Sequence, residues 1–281
     1  MSSVETLWNP TGVWYCEETD LLYIANYNGH DVLVCRYESD GSLSLVNRIT
    51  AEGMVSPEGI VTSGDGSRIA VADNDGNAVW MFDSQGGLLW KYELGLAHGI
   101  AMDGGYIYAA SLRDRCIVKL TLDGQMVCQR GALGQNSPDV YLWPICISIA
   151  GDYLLVTDSH QGRIILLNRE DLSYITAIGA NGPSENVFNY SYSALVSGGS
   201  LYVADTLNSR ILRLDLRGNV REIWQKTEFS ENSGDSVFVR MDREPPYTYE
   251  EVSGVTAALF GMDGTLVSGY DSIWVFDEAL I

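Results

Sequence analysis

The sequence predicts an all-β propeller of six four-stranded blades, built as a single domain over residues 1–281. Three observations predict it: a phrase that repeats along the chain, a strand-and-turn vocabulary without helical periodicity, and a composition suited to a buried core. The phrase is clearest where Ile69-Ala-Val-Ala-Asp73, with Asn77 and Phe82-Asp83, returns as Leu201-Tyr-Val-Ala-Asp205, with Asn208, Arg210 and Leu214-Asp215. Looser copies are Leu22-Tyr-Ile-Ala-Asn26, Ile107-Tyr-Ala-Ala-Ser111 and Leu154-Leu-Val-Thr-Asp158, and a degenerate sixth is Leu266-Val-Ser-Gly269. Their period is about 47 residues, the length of a propeller blade.

Each copy divides into four short strands. A first one opens on a Gly-hydrophobic run such as Gly59-Ile-Val, and a second is the Val-Ala-Asp strand. A third follows the Ile-x-x-Phe pattern, and a β-rich tail such as Leu88-Leu-Trp-Lys-Tyr92 makes the fourth. Asp-Gly and Gly-Gly pairs between them supply the turns. Single blades cannot bury both faces alone, so radial packing against neighbours is expected. The sixth copy stops after Phe276-Asp277 with no outer strand, while Val4-Glu-Thr-Leu-Trp8 precedes the first with nothing to pair with. The N-terminal segment is therefore expected to close the last blade.

Hydrophobic residues at 46%, charged residues at 19% and 16 Tyr exclude a disordered or fibrous chain. A net charge of −20 has the wrong sign for a phosphate backbone or an anionic lipid surface, so neither nucleic acid nor membrane is an expected partner. The longest uncharged apolar run, Val140 to Gly151, is too short to span a bilayer, and no Lys or Arg precedes Arg36 to form a secretory n-region. The five cysteines include no C-x-x-C pair, which fits a reducing cytoplasm better than a disulfide framework.

Ser56-Pro57-Glu58-Gly59-Ile60, Leu201-Tyr-Val-Ala-Asp205 with Asn208 and Arg210, and Ile178-Gly-x-x-Gly182-Pro183 running to Phe188-Asn189-Tyr190 resemble NHL repeats. The resemblance is strong in the second and fifth copies and weak in the third and sixth. It implies a six-bladed propeller, with the connections entering each innermost strand gathered on one face. It implies no single function, since similar propellers serve as RNA-binding modules, scaffolds, lyases and lactonases.

On that architecture the residue near the start of each innermost strand lines the channel mouth, giving a ring of Thr11, Glu58, His98, Ile145, Tyr192 and Ser253. Glu58, His98 and Tyr192 are the candidate catalytic residues, because a carboxylate, an imidazole and a phenol are groups that move protons. Thr11, Trp143, Ile145, Tyr190, Tyr247 and Ser253 are candidate ligand contacts, the aromatic rings suiting a small organic ligand. No cofactor and no metal are expected. His30 and His160 fall in outer turns away from His98, which argues against a three-His zinc site like that of amidating lyases, and the ring offers one Glu but no Asn or Asp for calcium.

The recurring Asp73, Asp158 and Asp205 read as structural acceptors for turn N–H groups, with Arg163 and Arg210 in reach to pair with them. Cys146 reads as core. The stretch 226–251 is an insertion, expected to lie over the binding face as a lid. Two functions stay open: a propeller that binds a small organic ligand at the channel mouth, either as a binder alone or as a metal-independent lyase, isomerase, cyclase or hydrolase using Glu58 and His98 as base and acid, or a non-catalytic scaffold that holds a protein partner on the same face.

Overall fold

The computed structural model describes residues 7–37, 43–131, 141, 143–179, 188–205, 208, 210–226, 238–241, 264–269 and 272–277. The first blade is β1 (Pro10–Cys16), β2 (Leu21–Asn26), β3 (Asp31–Tyr37) and β4 (Leu43–Ile49). The second is β5 (Pro57–Thr62), β6 (Arg68–Asp73), β7 (Ala78–Asp83) and β8 (Leu88–Glu93), and the third is β9 (Ala97–Met102), β10 (Tyr106–Ser111), β11 (Cys116–Thr121) and β12 (Met126–Arg130). The fourth is β13 (Pro144–Ala150), β14 (Tyr153–Asp158), β15 (Arg163–Asn168) and β16 (Tyr174–Ile178). The fifth holds β17 (Ser191–Ser197), β18 (Ser200–Asp205), β19 (Arg210–Asp215) and β20 (Val220–Lys226), and β21 (Phe238–Met241) is added at its outer edge. Within every blade consecutive strands pair antiparallel in chain order.

Burial explains why the amphipathic alternation is weak in the inner strands. β6, β7, β9 and β11 are buried along almost their whole length, because a neighbouring blade covers each face. The outermost β8 and β12 are largely exposed. The core is accordingly a series of inter-blade layers. Trp80, Phe82 and Ile69 of the second blade meet Tyr23, Val32 and Val34 of the first, and Val79 and Met81 meet Ile107, Val118 and Leu120 of the third. Tyr108 and Ile117 meet Val156 and Ile165, and Leu155 and Ile164 meet Val203 and Leu212.

Here the expectation from the repeats is corrected in part. Five blades of at least four strands stand among the described residues, not six, and the sixth copy is represented by the two-stranded sheet of β22 (Gly264–Gly269) and β23 (Ser272–Asp277). Those strands correspond to the second and third of a blade. The segment expected as its inner strand, around Ser253, and residues 4–6 of the expected closing strand lie outside the described residues. Leu7 and Trp8 belong to no strand; Trp8 donates its N–H to Asn26 Oδ1 at 2.6 Å, and Leu7 packs on the first blade. Of the expected lid, Lys226 ends β20 and Phe238–Met241 forms β21, paired to β20 at the rim of the blade, while the rest lies outside the described residues.

All five inner strands open with the same irregularity. Pro57 pairs with Asp73 and Gly59 with Ala72, which leaves Glu58 as an extra residue. Pro144 and Cys146 likewise bracket Ile145, and Ser191 and Ser193 bracket Tyr192. In β1 and β9 the shift falls between Pro10 and Val13 and between Ala97 and Ile100, where Thr11 and His98 sit. A bulge of this kind re-aims a side chain out of the sheet. The glycine beside the bulge has a separate reason. A Cβ on Gly59 would stand 2.4 Å from His98 O, and one on Gly12 would stand 2.3 Å from Glu58 O, so the inner strands of adjacent blades touch backbone to backbone there.

Replacing Gly59 with Ala is therefore expected to destabilise the protein by about 1–3 kcal/mol, the usual cost of overpacking. Gly64→Ala, at a site with no atom within 4 Å, is the control and should cost far less. Urea unfolding of the two variants measures the difference, and equal midpoints would contradict the close approach.

Candidate functional site

What holds each bulge is a polar side chain at the end of the adjacent second strand. Asp73, fully buried, accepts N–H bonds from Val55 (3.0 Å), Ser56 (2.6 Å) and Gly76 (3.1 Å), and from the Trp80 indole (3.0 Å). Asp158 accepts from Trp143 N at 2.9 Å and pairs with Arg163, and Asp205 accepts from Asn189 N at 2.6 Å and pairs with Arg210. Asn26 performs the task in the first blade. In the third Ser111 donates to Gly95 O at 2.5 Å. These groups clamp the entry loop to the strand behind it, so they are structural, as the sequence suggests.

The clamps hold three of the ring residues together. Tyr192, from the fifth blade, donates its hydroxyl to Glu58 Oε1 of the second at 2.5 Å. His98 Nε2 stands 3.4 Å from the same oxygen, and the His98 and Tyr192 rings lie 5.7 Å apart at 60°. On its far side His98 Nδ1 is 2.8 Å from Ile145 O. A carbonyl only accepts, so Nδ1 carries a hydrogen, and Nε2 is the nitrogen turned to Glu58. Glu58 and His98 are both buried, at 7% and 9% exposure. Burial of the Tyr192 hydroxyl, and then the charge of Glu58 beside it, hold its pKa well above 10.0.

The remaining ring members have other tasks. Thr11 is buried and donates toward Pro57 O (3.2 Å) and Glu58 O (3.1 Å), fixing the backbone that carries Glu58. Ile145 is buried and contributes its carbonyl. Ser253 and Tyr247 lie outside the described residues. Cys146 shares this neighbourhood, and burial pushes its thiol up to about 11, away from a thiolate.

Trp143 and Tyr190 belong to a stack that sequence reading only half found. Between them stands His160, 4.8 Å from Trp143 in parallel array and 5.4 Å from Tyr190. Its signal is the repeat itself, since the turn between second and third strands opens on the same face as the bulges. That turn is a short 3-10 segment here, and Ser159 within it donates to Ser191 O at 2.9 Å, locking the fourth blade to the fifth. Tyr190 has φ +53, a strained value for an aromatic residue, held between the clamps on Asn189 and Ser191. On the opposite side of the mouth, Ser56 (2.8 Å) and Tyr27 (3.1 Å) both donate to Asp75, a cluster that sequence reading missed. Among the described residues no group of three or more His, Cys, Asp or Glu is placed to hold a metal ion.

No family model matches the chain. Its fold is that of several solved structures. Streptogramin B lyase superposes with a TM-score of 0.65 over 97% of this chain and 94% of that one, at 16% identity. A Kuenenia stuttgartiensis hydrazine synthase chain gives 0.61 over 100% and 98%, at 14% identity. A chain of a nidogen/laminin complex gives 0.61 over 78% and 81%, at 19% identity. At such identities the likeness is one of β-propeller fold.

The raised phenol has a measurable sign. Unfolded chains release a tyrosine proton near pH 10, whereas folded Tyr192 keeps it, so its contribution to stability is complete below pH 10 and is lost as pH rises further. Above pH 10 the stability of the wild type should therefore fall more steeply than that of Tyr192→Phe. The difference expected for one proton is about 1.4 kcal/mol per pH unit, read by denaturant unfolding at stepped pH. Parallel curves would show that the Tyr192 hydroxyl is not held as described.

Proposed function

We propose that this protein is a cytoplasmic, six-bladed NHL-type propeller that binds a small organic molecule at the channel mouth and moves a proton on it without a metal. The observation that carries the reading is the meeting of Tyr192 and His98 on one oxygen of buried Glu58. Three titratable groups from three blades, held by bulges that serve no sheet pairing, form an acid–base array rather than a packing device. In the proposed chemistry Glu58 takes a proton from the ligand, His98 Nε2 holds or returns it, and the Tyr192 hydroxyl donates to oxygen charge that develops on the ligand. Lyase, isomerase, cyclase and hydrolase reactions all use such steps. Trp143, Tyr190 and His160 supply a flat wall for the ligand beside the array.

Six blades are part of the proposal. β22 adjoins β1 as β2 adjoins β5, β6 adjoins β9 and β10 adjoins β13, which is the relation of a second strand to the next blade's inner strand. The face of the first blade formed by Val13, Ile24 and Leu33 is also fully buried, as a closed ring requires. Five free cysteines support a reducing compartment.

Proton NMR in D2O tests the chemistry, using a panel of enolisable ketones, lactones and esters incubated with the full chain. Deuterium uptake or turnover of at least one member is expected, slowed about a hundredfold or more in Glu58→Gln. Turnover that survives Glu58→Gln unchanged would contradict the assigned role. If no member is bound or altered, the scaffold reading of this face becomes the better one.

A further inference from the structure

A second site lies away from the mouth. β9 begins at the mouth and ends at Met102, so the turn that follows it, at residues 103–105, is on the opposite face. A cleft of about 680 Å³ opens there between the third and fourth blades, lined among others by Asp103, Tyr106, Lys119, Asp152, Arg169 and Glu170. Its volume falls within the range of small-molecule sites.

Lys119 is the unusual member. It rises from β11 and is 4% exposed, yet among the described residues it forms no ion pair. Its ammonium donates to the carbonyls of Arg169 (3.2 Å) and Glu170 (2.9 Å) and lies over the Tyr106 ring at 4.0 Å. Other buried charges differ. Asp31, Asp158, Asp205 and Glu222 each face an arginine, and Asp73 has four N–H donors. Carbonyl dipoles and the ring faces of Tyr106 and Tyr108 (5.7 Å) stabilise this cation without a formal counter-ion, so its charge is still felt at the cleft wall.

Arg169 stands beside it, one-third exposed, with its guanidinium 3.5 Å from Asp103 Oδ2. Asp103 also accepts from Gly105 N (2.9 Å), Tyr106 N (2.7 Å) and the Tyr108 hydroxyl (3.1 Å), and its 3.5 Å monodentate contact leaves part of the Arg169 donor fork open to the cleft. Its fork of donors matches a carboxylate, with Lys119 as a point charge near it. The rim carries the other sign, since Asp152 and Glu170 are exposed carboxylates. A simple anion meets repulsion at this rim, and a simple cation meets it at the wall. Both signs are satisfied by one molecule that carries both.

We infer that this cleft binds a small zwitterion, an α-ammonium carboxylate such as a free amino acid or a dipeptide. Its carboxylate is received by Arg169 and Lys119 and its ammonium by Asp152 and Glu170. The site shares no residue with the mouth, so it stands or falls independently of the proton-transfer reading.

Isothermal titration of the full chain with a panel of free amino acids and dipeptides tests it, with acetate and methylammonium as single-charge controls. At least one zwitterion should bind about tenfold or more tighter than both controls, and Arg169→Gln should weaken it about tenfold. Lys119→Met should do the same, and because a buried residue is changed, Arg169→Gln at the partly exposed position keeps the test decisive if that variant misfolds. Acetate binding as tightly as the zwitterions, no zwitterion bound at millimolar concentration, or affinity unchanged in Arg169→Gln would each overturn the inference.

Discussion

The structure depends on the clamp at the entry to each blade. A buried acceptor or hydroxyl at the end of the second strand grips the loop ahead of the inner strand, and an extra residue is forced out of register beside it. The clamp is strong because the groups are desolvated. Asp73 alone satisfies four donors, and each buried donor left orphaned costs about 1–3 kcal/mol. With the loop held, the extra residue cannot return to the sheet, and its side chain is turned out of the sheet's alternation. Stability and site thus come from one repeated device, filled differently in each blade: Thr11 and Ile145 serve as backbone supports, while Tyr192 and His98 meet on one oxygen of Glu58.

The proposed chemistry follows from the environment these bulges create. The Glu58–His98 pair sits where water is largely excluded, so its mutual interaction is stronger than on a surface. Ile145 O fixes the imidazole orientation and dictates which nitrogen meets Glu58. Tyr192 stays protonated far above neutral pH and so remains a donor to Glu58. The packing of the blades contributes further, since it brings the Tyr192 hydroxyl of the fifth blade to 2.5 Å from Glu58 Oε1 of the second.

Most of this was legible in the sequence because it repeats. The recurrence of Val-Ala-Asp marks the second strand and its clamp, and counting back from it locates Glu58, His98 and Tyr192, whose meeting the structure then places. The structural part of Asp73, Asp158 and Asp205 was readable because a short acid at a strand end has nearby N–H groups to accept from. What escaped has physical reasons as well. His160 meets Tyr190 of the next blade and Asp75 meets Tyr27 of the preceding one, contacts between blades that no local pattern encodes. Lys119 occupies an ordinary apolar strand, Cys116-Ile-Val-Lys-Leu120, and only the neighbouring blade's carbonyls make its burial possible. The pairing of Phe238–Met241 onto β20 likewise could not be read from an insertion with little apolar periodicity.

The central claim is that clamped bulges set His98 between Ile145 O and Glu58, and side-chain nitrogen-15 NMR of the full chain, with Glu58→Gln for comparison, tests it most directly. The account predicts that His98 carries a hydrogen on Nδ1 and that its Nε2 resonance shifts when Glu58 is replaced by Gln. A neutral His98 with its hydrogen on Nε2, indifferent to that replacement, would contradict it.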